Sequence, residues 1–220
     1  MYMKKIVYLI VLMLVVSLTY AQDKPKDNGK QDLSKVSQAK GHHAHSSNLV
    51  FEMQVGENNV SSVVQDGVGS NVSIAQMGAD NMTRISQNGN GNHAQSHIMG
   101  FNNKVDLSQR GRDNYISEQT FGWSNAIAVD QRGKGNSVSL QTPGANYDIS
   151  IEQRGKNNSV KGYHLAYDLN PQQTTVIQKG NGHEATYVQY FGAKGVKIEQ
   201  KGNAAKVKVE QGHGVHINMK

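Results

Sequence analysis

The sequence predicts an all-β protein, a parallel β-solenoid whose 22-residue coils run strand, turn, strand, turn and stack into a cross-β, amyloid-like column. Three observations lead there. A glutamine recurs every 22 residues at Gln65, Gln87, Gln109, Gln131 and Gln153, and after one step of 25 again at Gln178 and Gln200. Each is followed two residues later by a glycine: Gly67, Gly89, Gly111, Gly133, Gly155, Gly180 and Gly202. Apolar residues stand seven and nine places after each glutamine or its substitute, as in Val72 and Ile74, Val105 and Leu107, and Ile149 and Ile151. A fixed period of this length marks units that bury their apolar faces only against one another.

The unit nearly halves. Gln54, Gln76, Gln189 and Gln211 lie midway between the first set, and Ile98, Thr120, Thr142 and Tyr167 are read into the same place elsewhere. Asparagine commonly stands five places after these positions, at Asn92, Asn114, Asn136 and Asn158 and also at Asn81, Asn103 and Asn125. Places five, seven, nine and eleven share a parity, and a period of two is one face of a strand. A helix would need apolar residues three and four apart. Each half-coil is therefore expected to be a strand of about six or seven residues, closed by a tight turn that carries the glycine, where the backbone is left-handed or crowded.

Stacking sets equivalent positions about 4.8 Å apart. An inward glutamine or asparagine then meets its own copy above and below, and one carboxamide can donate to the next. Such ladders repeat the logic of a cross-β spine and fix register, because a slip of one residue would exchange the polar and apolar faces. The composition requires something of the kind: hydrophobic residues make up 36% of the chain and 23 residues are glycine, thin material for a conventional core. There is no cysteine, which excludes disulfides, thiolate chemistry and cysteine-ligated metal. The net charge of +6 favours anionic partners.

The residue after each glutamine is basic in successive coils: Arg110, Arg132, Arg154, Lys179 and Lys201. Like charges at coil spacing repel by about 1 kcal/mol in water, so the column must face solvent. Asp130, Glu152 and Glu199, two residues before three of these bases, share that face and neutralise part of it. A solvated face is the plain reading; a stripe that binds an anionic polymer is the sharper one.

Before the repeats, residues 1–21 have the form of a secretory signal: Lys4 and Lys5, an apolar run from Ile6 to Leu18, and Ala21 before Gln22. The run is short for a membrane span, and no other segment is apolar enough for one, so no transmembrane segment is expected after signal removal. Residues 22–48 are lysine-rich and polar and are expected to stay disordered; His42, His43 and His45 within them lack the companions of a metal site. Repeats occupy 49–220. The pattern lapses between Gly162 and Gln178, where the three-residue insertion and Pro171 suggest a bulged turn. No capping unit is apparent, and the stretch from Gln211 to Lys220 still alternates. An uncapped stack exposes unpaired strand edges and is expected to recruit another copy of itself.

No catalytic constellation, cofactor or metal site is expected. The carboxylates read as outward, no Ser, His and Asp set can be assembled, and His93, His97, His164, His183, His213 and His216 read as solvent or turn residues.

The segments Gln109-Arg-Gly111-Arg-Asp-Asn114, Gln131-Arg-Gly133-Lys-Gly-Asn136 and Gln153-Arg-Gly155-Lys-Asn-Asn158 resemble the curlin repeat of bacterial curli subunits. The similarity covers roughly residues 49–220, in about seven coils. It implies an extracellular amyloid fibre of the biofilm matrix, exported unfolded through an outer-membrane pore and co-assembled with a homologous fibre subunit, with residues 22–48 serving export. Ile98, Thr120 and Thr142 depart from the repeat glutamines, and the second half of each coil loses its glycine after Gly144. The strict glutamine spacing and the basic C-terminal coils are more similar to the minor, nucleating subunit than to the major one.

Two rivals come from other classes. A monomeric secreted solenoid binding polysaccharide or another surface ligand would show caps and a flat outward ladder of one residue type. A solenoid enzyme acting on polysaccharide would need clustered acids on one coil face.

Overall fold

With apolar side chains two apart, the chain has no amphipathic helix to form, and only strands occur in the computed structural model, which describes residues 48–190, 195–211 and 215–219. The signal-like segment, the polar residues before Asn48 and the three histidines within them lie outside the described residues. In order the strands are β1 (Leu49–Glu57), β2 (Val60–Asp66), β3 (Asn71–Ala79), β4 (Met82–Asn90), β5 (His93–Phe101), β6 (Lys104–Arg112), β7 (Tyr115–Trp123) and β8 (Ala126–Lys134). There follow β9 (Ser137–Lys156), β10 (Ser159–His164), β11 (Ala166–Asn181), β12 (Glu184–Gln189), β13 (Gly195–Asn203), β14 (Lys206–Gln211) and β15 (Val215–Met219).

All pairing is parallel, and it sorts the strands into two rows. One row holds β1, β3, β5, β7, the first half of β9, β10, β12 and β14. The other holds β2, β4, β6, β8, the second half of β9, β11, β13 and β15. With β9 serving both, the 15 strands give eight rungs to each row. Each coil closes on itself. Gln76, near the end of β3, donates to Thr83 Oγ1 near the start of β4 at 2.9 Å, and Gln87, near the end of β4, reaches Asn71 O at the start of β3 at 3.2 Å. The rows thus face each other across a thin interior filled by Val72, Ile74, Ile85, Leu107, Ile116, Val129, Ile149, Ile151 and their equivalents. Each such side chain contributes about 1.5–3 kcal/mol relative to exposure.

Four features depart from the sequence expectation. Most strands are nine residues long, because the ladder continues through the glycine: Gly89 pairs with Gly111 and Gly111 with Gly133. Six of the seven glycines expected in turns are therefore the penultimate residues of strands, while Gly67 directly follows β2. Their φ values run from 94° to 132°, and a Cβ on Gly111 would lie 2.0 Å from Gly133 O, so close backbone approach between coils demands glycine there. The turn itself falls two residues later at a left-handed residue, such as Asp80 (φ 57°), Gly91 (66°), Asn102 (54°) or Gly135 (66°), types that tolerate this region.

The insertion is also narrower than expected. The 22-residue register persists through Tyr163 opposite Gln141 and Tyr167 opposite Ala145, and becomes 25 at Gln172 opposite Tyr147. Thus the shift lies between Tyr167 and Gln172. In consequence His164, opposite Gln189, takes the repeat position assigned to Tyr167. At the C-terminal end Val196 pairs with Val215, a step shortened to 19.

Candidate functional site

The repeat glutamines form one unbroken file of amides. Gln65 Nε2 donates to Gln87 Oε1 at 2.8 Å, and the donation passes through Gln109 (2.8 Å), Gln131 (3.0 Å), Gln153 (2.8 Å) and Gln178 (2.8 Å) to Gln200 (2.7 Å). The second amide proton is used within each coil; Gln109 gives it to His93 O at 3.0 Å and Gln131 to Tyr115 O at 3.1 Å. From Gln87 to Gln200 the side chains are buried, yet each amide has partners on both sides, which removes the penalty of an unpaired buried amide. The file has an open start. Among the described residues Gln65 Oε1 is buried and accepts nothing.

Asparagine forms two further files, one at each edge of the coil. In the first, Asn114 donates to Asn92 Oδ1 at 3.0 Å, Asn136 to Asn114 at 3.1 Å and Asn158 to Asn136 at 3.1 Å, opposite in sense to the glutamines. The same residues donate forward to the glycine carbonyls Gly111, Gly133, Gly155 and Gly180 at 2.9–3.1 Å. Each asparagine therefore spans three coils. The second file, Asn59, Asn81, Asn103 and Asn125, repeats this at the other edge. Asn81, Asn103 and Asn125 stand five places after the midway positions, where the sequence places inward asparagines, and Asn59, five after Gln54, adds one more rung.

Midway between the glutamines the amide file fails. Gln54 still donates to Gln76 at 2.8 Å, but Ile98, Thr120, Thr142 and His164 follow in the column. Four groups read as outward or solvent-facing prove to be interior: Glu52, Glu118, His164 and His183. Glu118 is fully buried, accepts from Ser96 Oγ at 2.8 Å and contacts Thr120 Oγ1; burial pushes its carboxyl up to about 7, partly offset by these two hydroxyls. His164 is fully buried between the rings of Tyr147 (4.8 Å) and Tyr187 (5.1 Å), and burial pushes its imidazole down to about 3. The Tyr187 ring needs Gly162 beneath it, where a Cβ would lie 2.3 Å from the tyrosine oxygen. His183 is interior as well, continuing the asparagine file: its backbone N donates to Asn158 Oδ1 at 3.0 Å. The available signal was their place in the repeat: Glu118 nine after Gln109, His164 eleven after Gln153 and His183 five after Gln178.

Outside, the two rows differ in charge. The expected basic column is exposed and in register, Arg110 beside Arg132, then Arg154, Lys179 and Lys201. A second column was missed two residues further on: Arg112, Lys134 and Lys156, also exposed and in register. Asp130 pairs with Arg132 at 2.9 Å and Glu152 with Arg154, whereas Glu199 meets Lys197 at 3.1 Å. Among the described residues Arg110, Arg112, Lys134 and Lys156 make no ion pair. The outward face of β1, β3, β5, β7 and the first half of β9 carries one full charge, Glu57.

Among the described residues no three His, Asp or Glu side chains gather as a metal site, and no helix is long and apolar enough to cross a membrane. No family model, curated protein or solved structure matches the chain.

Proposed function

We propose that this chain is a structural subunit of an extracellular, curli-like cross-β fibre, built by templated end-to-end β-addition. The observation that carries the reading is the glutamine file: seven coils of continuous amide donation, beginning at Gln65 Oε1, which accepts no hydrogen bond among the described residues. Another coil seated on β1 and β2 would supply that donor and pair the outer edge of both strands, where Leu49, Phe51, Val60 and Val64 are exposed. The incoming coil belongs to a second copy or to a homologous fibre subunit.

The curlin resemblance and the signal-like residues 1–21 support export through an outer-membrane pore and a place in the biofilm matrix and in adhesion. Within that scheme the nucleating subunit is favoured, from the strict glutamine spacing and the basic coils. The doubled basic columns are where an anionic matrix polymer would lie.

The test starts from residues 22–220 in denaturant, diluted and followed by thioflavin fluorescence with and without preformed seeds. Seed-shortened growth of β-rich fibres is expected, and a negligible unseeded lag marks the nucleator. A soluble β-rich monomer that never polymerises overturns the fibre reading in favour of a monomeric solenoid that binds polysaccharide or another surface ligand.

A further inference from the structure

The neutral sheet face is unlike the rest of the surface. Across five rungs of its row, the outward positions carry serine, alanine, asparagine, glutamine, two imidazoles and apolar or aromatic side chains, with Glu57 the single full charge. Apolar side chains collect along one edge in two columns. Val55, Met77, Met99 and Phe121 stand in register in one column, and Phe101 and Trp123 stack in the next, ring centroids 5.8 Å apart and planes within 6°. Val55, Met77 and Phe101 are exposed. Large contiguous apolar patches are uncommon on monomers and mark contact surfaces.

We propose that this neutral face is a lateral interface and that its occupant is the same face of a second copy of this chain, packed sheet on sheet. Three points on the molecule select that occupant. The face can be dried without burying a charge, apart from Glu57 at its margin, whereas the opposite row presents arginine, lysine, aspartate and glutamate on successive rungs. Its apolar columns are straight and repeat once per coil, so a matching line must itself repeat at that spacing, and another copy supplies one. Pairing neutral face to neutral face also sets the basic columns of both copies on the outside, where they repel least. Flat sheets pack in this manner about 10 Å apart.

The inference rests on the fibre reading for its full extent, since each stacked copy adds another five-rung neutral segment, set off by β10, β12 and β14, whose outward positions carry Lys161, Glu184, Lys206, Lys208 and Glu210. The experiment compares the wild-type chain with the double variant Met99→Lys and Phe121→Lys, whose side chains point outward and take no part in the amide files. Ala128→Lys with Ser150→Lys, on the opposite face, is the control. Fibre mass per unit length is measured by dark-field scanning transmission microscopy. Wild type and control are expected to give twice the value of the double variant, all three with the same seeded growth. Unpaired wild-type fibres, or paired fibres of the double variant, overturn the proposal. If the lysine variant fails to fold by circular dichroism, Met99→Ser with Phe121→Ser is read in its place. If the wild type forms no fibre, the fibre reading fails by itself, and sedimentation decides the face: a dimer lost in the variant supports it, and a wild-type monomer overturns it.

Discussion

Gln131 donates to Gln153 Oε1 at 2.8 Å while neither side chain exposes any surface, and Gln131 Oε1 accepts from Gln109 at 3.0 Å. The contribution of the file lies in what its loss would orphan. Gln131→Ala leaves the amide proton of Gln109 and the carbonyl of Gln153 unpaired in the interior, at about 1–3 kcal/mol each. Gln54→Ala, at the half-buried first rung, should cost well under half as much. Guanidinium midpoints of the two variants against wild type measure the difference; equal shifts would show that the buried amides are not coupled.

The two kinds of positive-φ glycine should respond unequally. Gly111→Ala sets a methyl 2.0 Å from the backbone carbonyl of Gly133 at φ 122°, and nothing flexible can move aside. Loss of the folded stack is expected, a cost above the ~1–3 kcal/mol of conformational strain alone. Gly91→Asn should be tolerated, because Asn102 holds the equivalent left-handed position at φ 54°. Circular dichroism of the refolded variants distinguishes them; a folded Gly111→Ala would contradict the close approach.

Glu118 and His164 give stability opposite pH dependences. The Glu118 carboxyl is raised by burial to about 7 from an ordinary 4.5, so its contribution is complete below about pH 4.5 and is lost as pH climbs through about 7, on the order of 3 kcal/mol in all. His164 is depressed to about 3 from 6.5, so its contribution is complete above about pH 6.5 and falls away towards pH 3. Unfolding midpoints of Glu118→Gln should stay level between about pH 4.5 and pH 7, where wild type declines. His164→Gln should flatten the acid side. A wild-type midpoint independent of pH over both ranges would remove either group from the account.

For the basic columns, Arg110→Ser, Arg132→Ser and Arg154→Ser together should leave folding intact, since exposed pairs such as Asp130 with Arg132 contribute little. If an anionic polymer lies there, binding to duplex DNA as a probe should weaken, with the slope of log affinity against log salt falling by roughly 0.9 for each cation removed. An unchanged slope would place the polymer elsewhere.

How much of this was legible in the sequence follows from where information repeats. The glutamine file was readable because Gln65 through Gln200 recur with one period, each two places after an apolar residue such as Ile85, Leu107, Val129 or Ile151. The left-handed turn residue was readable too, since Asp80, Gly91, Asn102 and Gly135 stand four places after their repeat positions, but the nearby glycines drew the turn two residues early. Those glycines answer to a contact with the next coil, which no local pattern announces. Glu118 and His164 occupy interior places by count, and residue type overrode position. His164 was displaced further by starting the insertion too soon, because parity cannot locate a three-residue shift between Tyr167 and Gln172. Arg112, Lys134 and Lys156 recur with the same period and were simply overshadowed by the column beside them. The neutral face emerges only when alternate residues of one row are viewed together.

The central claim, that each chain winds through many layers of the fibre, meets its most direct test in mass per unit length. Eight rungs at ~4.8 Å span ~38 Å, so a single filament should carry one chain for every ~38 Å of its length, and two where filaments pair. Copies stacked flat, each chain filling one layer, would give a chain for every ~4.8 Å, about eight times the single-filament value. The first result is what the solenoid predicts; the second would contradict it.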